Sequence, residues 1–222
     1  MSTYEIEIKS LLGSLENANA LKEKIKTRGA QLVSANKQLN HYFVLGEENT
    51  LKEKLSSHIS ADKKALFEKI LREGTNLSVR TREADGKVIL VVKASIGDDS
   101  SANGVSRMEF ESVLNMSLAE LDQLLLDSGL EYQAKWSRER EEYKINDVNI
   151  CIDKNAGYGY LAEFEKMISD SSESDKVKEE LLVFMKELGA KELMQDRLER
   201  MFAHYNANWR DYYGTEKVFN IE

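Results

Sequence analysis

Charged pairs recur along this chain at the spacing of a strand. Glu5 and Glu7 precede Lys9, Arg80 precedes Arg82, Glu109 precedes Glu111, Arg138 precedes Arg140, and Glu163 precedes Glu165. Successive strand residues point to opposite faces, so each i,i+2 pair projects to one side. Carboxylates paired in this way can share a hard divalent cation. Arginine offers a planar fork of donors that matches phosphate oxygens. With Arg107, Lys93 and Asp153 added, the set holds seven acids (Glu5, Glu7, Glu109, Glu111, Asp153, Glu163, Glu165) and seven bases (Lys9, Arg80, Arg82, Lys93, Arg107, Arg138, Arg140). One such strand is an ordinary solvated face. Repeated strand after strand, the set suits an anion brought in with metal. A polyphosphate with Mg2+ or Mn2+ satisfies both halves.

Those pairs need strands to carry them, and the pattern supplies strands. Thr3–Leu12 alternates strictly, with Tyr4, Ile6 and Ile8 opposite the charges. Ser14–Arg28 follows as an amphipathic helix with Leu15, Ala18, Leu21 and Ile25 in one stripe. Gln31–Leu45 reads as one bent strand or two short ones. Glu48–Glu73 is helical with a break near Ser60. Thr75–Ala84 and Lys87–Ser95 form a hairpin through Asp85-Gly86. A polar loop, Ile96–Gly104, leads to a strand at Val105–Leu114. Ser117 and Glu120 make a capping box that opens a helix to about Ser128. Leu130–Ile145, Val148–Asn155 and Tyr158–Ile168 are three more strands, and helices follow at Asp175–Leu188 and Lys191–Tyr213. If the charged faces share an interior, the apolar faces (Ile6, Ile8, Val79, Ile89, Phe110, Ile150, Phe164) pack outward against helices.

Tyr4-Glu5-Ile6-Glu7-Ile8-Lys9 resembles the Glu-x-Glu-x-Lys signature of the CYTH superfamily, the triphosphate tunnel metalloenzymes. The later motifs resemble that family in order: Val79-Arg80-Thr81-Arg82 with Lys93, Arg107 to Glu111, Arg138-Glu139-Arg140 with Tyr143, Cys151-Ile152-Asp153, and Glu163-Phe164-Glu165. Position 138 departs from it, carrying Arg where the family often has Lys; charge is kept. The Glu48–Glu73 segment and the C-terminal helices also depart. The resemblance implies an α+β fold, an eight-stranded antiparallel β-barrel with peripheral helices and a C-terminal helical extension. It implies a domain over residues 1–169 and an extension over 170–222. It implies Glu5, Glu7, Glu163 and Glu165 as metal carboxylates with Asp153 and Glu111 helping. Lys9, Arg80, Arg82, Lys93, Arg138 and Arg140 would grip phosphate, and Lys9, Glu111 and Asp153 would be catalytic. The implied substrate is a small-molecule triphosphate: tripolyphosphate, thiamine triphosphate or a nucleoside triphosphate. The implied reaction is hydrolysis, or cyclisation of ATP to cyclic AMP and pyrophosphate as in class IV adenylyl cyclases. An idle triphosphate sensor is a third reading, weakened because every matched charge is present.

Composition bounds the rest. A balance of 31 basic against 39 acidic residues, net −8, argues against a nucleic-acid coat protein. The longest aliphatic run, Val88–Val92, is too short to span a bilayer, and no signal peptide is visible, so a cytoplasmic protein is the expectation. Cys151 is the single cysteine, which excludes an internal disulfide; alternation with Asp153 offers it a place on the charged face, and small-hydrophobe packing is the expectation preferred for it. His41, in Asn40-His41-Tyr42-Phe43, reads as structural or solvated; His58 and His204 have no partner at metal spacing. Leu198, Met201, Phe202, Tyr205, Trp209 and Tyr212 form a helical stripe, read as core packing or a homodimer face.

Overall fold

In a computed structural model, residues 4–44, 48–95 and 107–222 are described. The polar loop expected at Ile96–Gly104, the ends of the flanking segments at residues 3, 45 and 105–106, and the Arg107 side chain lie outside the described residues. The chain is α+β, with eight strands whose described pairings are all antiparallel: β1 (Tyr4–Gly13), β2 (Gln31–Val44), β3 (Thr75–Ala84), β4 (Lys87–Ser95), β5 (Arg107–Leu114), β6 (Glu131–Ile145), β7 (Val148–Asn155) and β8 (Gly159–Ile168). Six α-helices accompany them: α1 (Leu15–Thr27), α2 (Glu48–Leu55), α3 (Ala61–Glu73), α4 (Leu118–Leu126), α5 (Ser174–Leu188) and α6 (Gln195–Tyr212). Two compact units emerge, one of residues 4–37 and 137–222, the other of residues 38–44, 48–95 and 107–136. Strands β2 and β6 each run from one unit into the other.

The first unit is a four-stranded meander in the order β1-β8-β7-β6. Residues directly opposite one another on antiparallel strands share a face. Ile8 opposes Phe164, which opposes Ile150, and this apolar face is sealed by α1 (Ala18, Leu21, Ile25) and α5 (Val177, Leu181, Met185, Leu188) in one core. Ser14 caps α1 by accepting from the Asn17 amide, and Gly189 ends α5 in the left-handed conformation. Leu15, expected in the buried stripe, is exposed; only Ala18, Leu21 and Ile25 of that stripe reach the sheet. The last helix begins at Gln195 rather than Lys191, because the preceding backbone turns aside to β1: the Leu193 amide donates to the Lys9 carbonyl at 2.7 Å, and Leu193 is buried.

The second unit pairs β2-β3-β4-β5. Asp85 and Gly86 both adopt positive φ, the conformation a two-residue hairpin turn requires. Val79, Leu90, Val92 and Phe110 face a core completed by α2, α3 and α4 through Leu51, Leu55, Phe67, Ile70, Leu121 and Leu125. The expected break splits the long helical segment into α2 and α3 at Ser60. The Ser117–Glu120 capping box is present at the start of α4. Ile89 corrects the expected apolar set. It lies opposite Arg82 and is only partly buried, while Val88 and Leu90 enter the core. Strand β4 is apolar on both faces, so alternation alone cannot orient it.

Candidate active site

In the first unit, the register puts Glu7 opposite Glu165, Lys9 opposite Glu163, Glu163 opposite Cys151, and Asp153 opposite Arg140. Among the described residues, one face of the meander therefore carries six acids (Glu5, Glu7, Glu142, Asp153, Glu163, Glu165), four bases (Lys9, Arg138, Arg140, Lys144) and the thiol. Carboxylate oxygens of Glu5, Glu7 and Glu165 all lie within 4.8 Å of one another, and so do ligand atoms of Cys151, Glu163 and Glu165. Glu5 is buried, with only 6% of its surface exposed. Buried carboxylates this close repel one another strongly unless a cation or proton intervenes. Three hard oxygen donors at this spacing fit Mg2+ or Mn2+.

Of these bases, Lys9, Arg138 and Arg140 are held by acids. Arg140 donates to both oxygens of Asp153 at 2.7 Å, and also to Glu163. Arg138 donates to Asp153 at 3.0 Å. Asp153 is completely buried, and both its oxygens are taken up by guanidinium groups. Lys9 pairs with Glu7 and lies 3.9 Å from Glu163. Burial pushes the Glu163 carboxyl up, but Arg140, Lys9 and Arg138 outweigh it and hold the group well below the usual carboxylate range. Burial likewise opposes charge on Arg140, but Glu163 and Asp153 raise its pKa well above the usual value. Cys151 is not packed in either apolar core. Burial pushes its thiol up; Arg140 opposes that, and Glu165, Glu163 and Asp153 add to it. Its expected role as a small packing hydrophobe is thereby corrected, because β7 turns it to the charged face with Asp153.

In the second unit, Arg80 and Arg82 share a face with Lys93, Glu109 and Glu111. Arg82 pairs with Glu111 at 2.9 Å, and Lys93 with Glu109 at 3.2 Å. From β2, Asn40 accepts from the Arg82 Nε at 2.9 Å. Tyr42 accepts from Arg80 at 2.9 Å and carries that guanidinium 4.8 Å above its ring. The converging acid groups among the described residues include neither Glu111 nor Asp153; both serve arginines. His41 is structural, as expected. It is buried and bonds through Nδ1 to Asp122 at 2.6 Å. Asp122 is the residue that motif reading passed over; Asn40 and Tyr42 lie in the Asn40–Phe43 segment, in which only His41 was weighed. A signal for Asp122 was present: it falls in the same helical stripe as Leu118, Leu121 and Leu125, where an acid has to be partnered.

The profile of the CYTH domain matches residues 68–197, more than half of the chain. The chain belongs to the CYTH family. The match runs from within α3 into α6, so the Glu5–Lys9 motif on β1 lies upstream of it. A candidate adenylate cyclase of Methanocaldococcus jannaschii is 28% identical to this CYTH protein over 184 residues, 83% of this chain and 89% of its own length. A Pyrococcus furiosus protein of solved structure shares the fold with a TM-score of 0.62 at 19% identity, over 88% of this chain and 98% of its own. A Hippeastrum candidate adenylyl cyclase, described as having a dominant triphosphatase activity, superposes with a TM-score of 0.53 at 16% identity, over 90% of this chain and 95% of its own. No helix among the described residues is long and apolar enough to cross a membrane. The C-terminal stripe is divided at Asn208, where the helix is kinked. Leu198, Met201 and Tyr205 are buried within the chain, with Tyr205 against Tyr158.

Proposed function

We propose that this CYTH protein hydrolyses a phosphoanhydride bond of a small-molecule triphosphate with the help of Mg2+ or Mn2+. The observation that carries the reading is the convergence of Glu5, Glu7 and Glu165 on one face with Lys9, Arg138 and Arg140. Acids alone describe a cation site and bases alone an anion site; together they suit an anion delivered with its cation. Glu5, Glu7 and Glu165 would hold the metal, with Glu163 beside them. When bound, the cation would draw charge from the phosphate oxygens and ease loss of a proton from water. Lys9, Arg138 and Arg140 would bind phosphate oxygens on the first unit's face; Arg80, Arg82 and Lys93 are the phosphate-binding candidates of the second unit. The transition state of phosphoryl transfer spreads negative charge over oxygens, and pre-positioned cations stabilise it without reorganising. Asp153 would orient Arg138 and Arg140, Glu111 would orient Arg82, and Lys9 would place its charge on the reacting phosphate. Residues 1–169 would carry this chemistry, with 170–222 as the extension that closes the first unit's core.

The Hippeastrum protein's described triphosphatase activity supports hydrolysis. The name of the Methanocaldococcus relative favours the second reading, attack by the ribose 3′-hydroxyl of ATP to give cyclic AMP and pyrophosphate. The test is to incubate the protein with tripolyphosphate, thiamine triphosphate and ATP, each with Mg2+ and with Mn2+, and to measure phosphate, pyrophosphate and cyclic AMP. Release of phosphate without cyclic AMP is expected. Cyclic AMP with stoichiometric pyrophosphate would replace hydrolysis by cyclisation, and no product from any substrate would refute the enzyme reading.

A further inference from the structure

Asp122 sits on α4, beneath the second unit's sheet, and is 4% exposed. Its carboxylate gathers side chains from three strands. Oδ1 accepts from the Thr81 hydroxyl of β3 at 2.6 Å, and Oδ2 accepts from the Tyr132 hydroxyl of β6 at 2.7 Å. Oδ2 also meets the His41 Nδ1 of β2 at 2.6 Å, with the Lys135 ammonium 3.8 Å away. A carboxylate has only acceptor capacity, so Nδ1 of His41 carries the proton. Burial pushes the Asp122 carboxyl up, but the bonds from His41, Thr81 and Tyr132 outweigh it and keep the group ionised.

The choice of contacts is informative. His41 and Thr81 stand directly opposite each other on β2 and β3, flanked by the pairs Asn40–Arg82 and Tyr42–Arg80. Strand alternation sends His41 and Thr81 to the helix side and those flanking residues to the other. On that other side Asn40 holds the Arg82 Nε and Tyr42 holds Arg80. The cross-strand pair that Asp122 grips is therefore the one between the two arginine rungs. A buried ionised carboxylate is a poor way merely to dock a helix, since apolar residues of similar volume would do so without desolvating a charge. Gripping both strands between the rungs fixes the spacing and twist of the two guanidinium groups, a requirement for a bidentate anion site and not for a core.

We propose that Asp122 is a positioning residue that sets the geometry of Arg80 and Arg82 through Thr81 and His41, without touching the anion itself. The anion role of those arginines rests on the reading above; their positioning by Asp122 does not. The test uses Asp122→Asn, which keeps the shape of the side chain but exchanges an acceptor oxygen for a donor. Leu125→Val is the control, a trimming of the same helix that leaves the carboxylate in place.

Two measurements separate the claims. The first needs no anion: the Nε–H signal of Arg82, observed by nitrogen-15 NMR, reports its bond to Asn40. In Asp122→Asn that signal should shift and exchange with solvent at least several-fold faster, and in Leu125→Val it should not. An unchanged signal in Asp122→Asn, or an equal change in Leu125→Val, overturns the proposal. The second is tripolyphosphate binding by calorimetry in EDTA, with KM and kcat for hydrolysis alongside. Asp122→Asn should weaken binding and raise KM about 5- to 10-fold with kcat within about twofold. Added to Arg82→Ala, it should weaken binding by less than it does in the parent protein, because only its action through Arg80 is left. Full additivity overturns action through Arg82. If Arg80→Ala and Arg82→Ala leave tripolyphosphate binding unchanged, the anion reading fails while the NMR result still decides the positioning claim.

Discussion

Removing Arg140 tests whether the charged face of the first unit is held by attraction between its members. A cluster of like-charged bases would gain stability on losing one. Here Lys9, Arg138 and Arg140 each have a carboxylate within 4.0 Å, and Arg140 has two, Asp153 and Glu163. Arg140→Ala would leave Asp153, completely buried, with Arg138 alone at 3.0 Å, and Glu163 with Lys9 at 3.9 Å. Breaking a buried pair by deleting one partner costs about 3–5 kcal/mol, chiefly through the charge left uncompensated. A domain of this size loses roughly 2–4 °C of Tm per kcal/mol, so the expected fall is about 6–20 °C. Asp153→Asn added to Arg140→Ala removes the orphaned charge, and should recover about 0.5–3 kcal/mol relative to the additive sum. Urea unfolding read by tryptophan fluorescence is a suitable assay, because Trp209 lies in the first unit and Trp136 in the second. A single cooperative transition has to be demonstrated before free energies are compared. An Arg140→Ala protein as stable as wild type, or more stable, would refute the attraction argument, and additivity in the double variant would refute the assignment to Asp153.

Three further outcomes are expected. Glu165→Gln, which blunts the Glu5–Glu7–Glu165 convergence, should reduce metal-dependent turnover at least 100-fold with little change in Tm, since an amide is a poor ligand for a hard cation; activity undiminished in this variant, or in wild type with excess EDTA, would contradict the metal role. Stability should fall with acid in a defined window: Glu163 and Asp122 have folded pKa values below their unfolded ones, so their contribution is complete above about pH 4, the unfolded carboxylate value, and is lost as pH drops through the lower folded values. A Tm that does not fall between pH 4 and pH 2, or a Glu163→Gln variant with an unaltered profile, would show that these groups are not the source. Truncation after Ile168 removes Val177, Leu181, Met185 and Leu188 from the core that contains Ile6 and Ile8, about 6–12 kcal/mol of burial at about 1.5–3 kcal/mol each, against a total stability of about 5–15 kcal/mol. The shortened chain should be insoluble or lack cooperative melting, and a soluble product with the parental Tm would show that the extension is dispensable.

Much of this was legible where local chemistry leaves one answer. The strict alternation of Tyr4–Lys9, the Asp85-Gly86 turn and the Ser117–Glu120 cap each specify a conformation within a few residues, and the order of the charged pairs carried the family. What could not be read depended on contacts between distant segments. Strand β4 is apolar on both sides, so only pairing with Arg82 and Glu111 shows that Ile89 and Val91 line the charged face. The start of α6 is delayed by a hydrogen bond to Lys9, some 180 residues earlier in the chain, and no capping signal announces that bond. Asp122 was passed over because an acid on a helix normally faces water, and its three hydroxyl and imidazole partners come from three separate strands. Both oxygens of Asp153 go to arginines, a division of labour among acids that spacing alone does not distinguish from metal ligation.

The position of Cys151 has a practical consequence. It is the chain's only thiol, it is 2% exposed, and both its burial and the carboxylates around it keep it protonated. The folded molecule thus shields it twice, by excluding reagent and by withholding the thiolate that alkylation requires. Because its neighbours Glu163, Glu165 and Arg140 stand on the same face, modification in native buffer must wait until that face opens. The native chain therefore carries its own chronometer for breathing of this meander. Its ticking rate under a slow alkylating agent, followed by intact mass, measures an opening free energy at one known position without any introduced label.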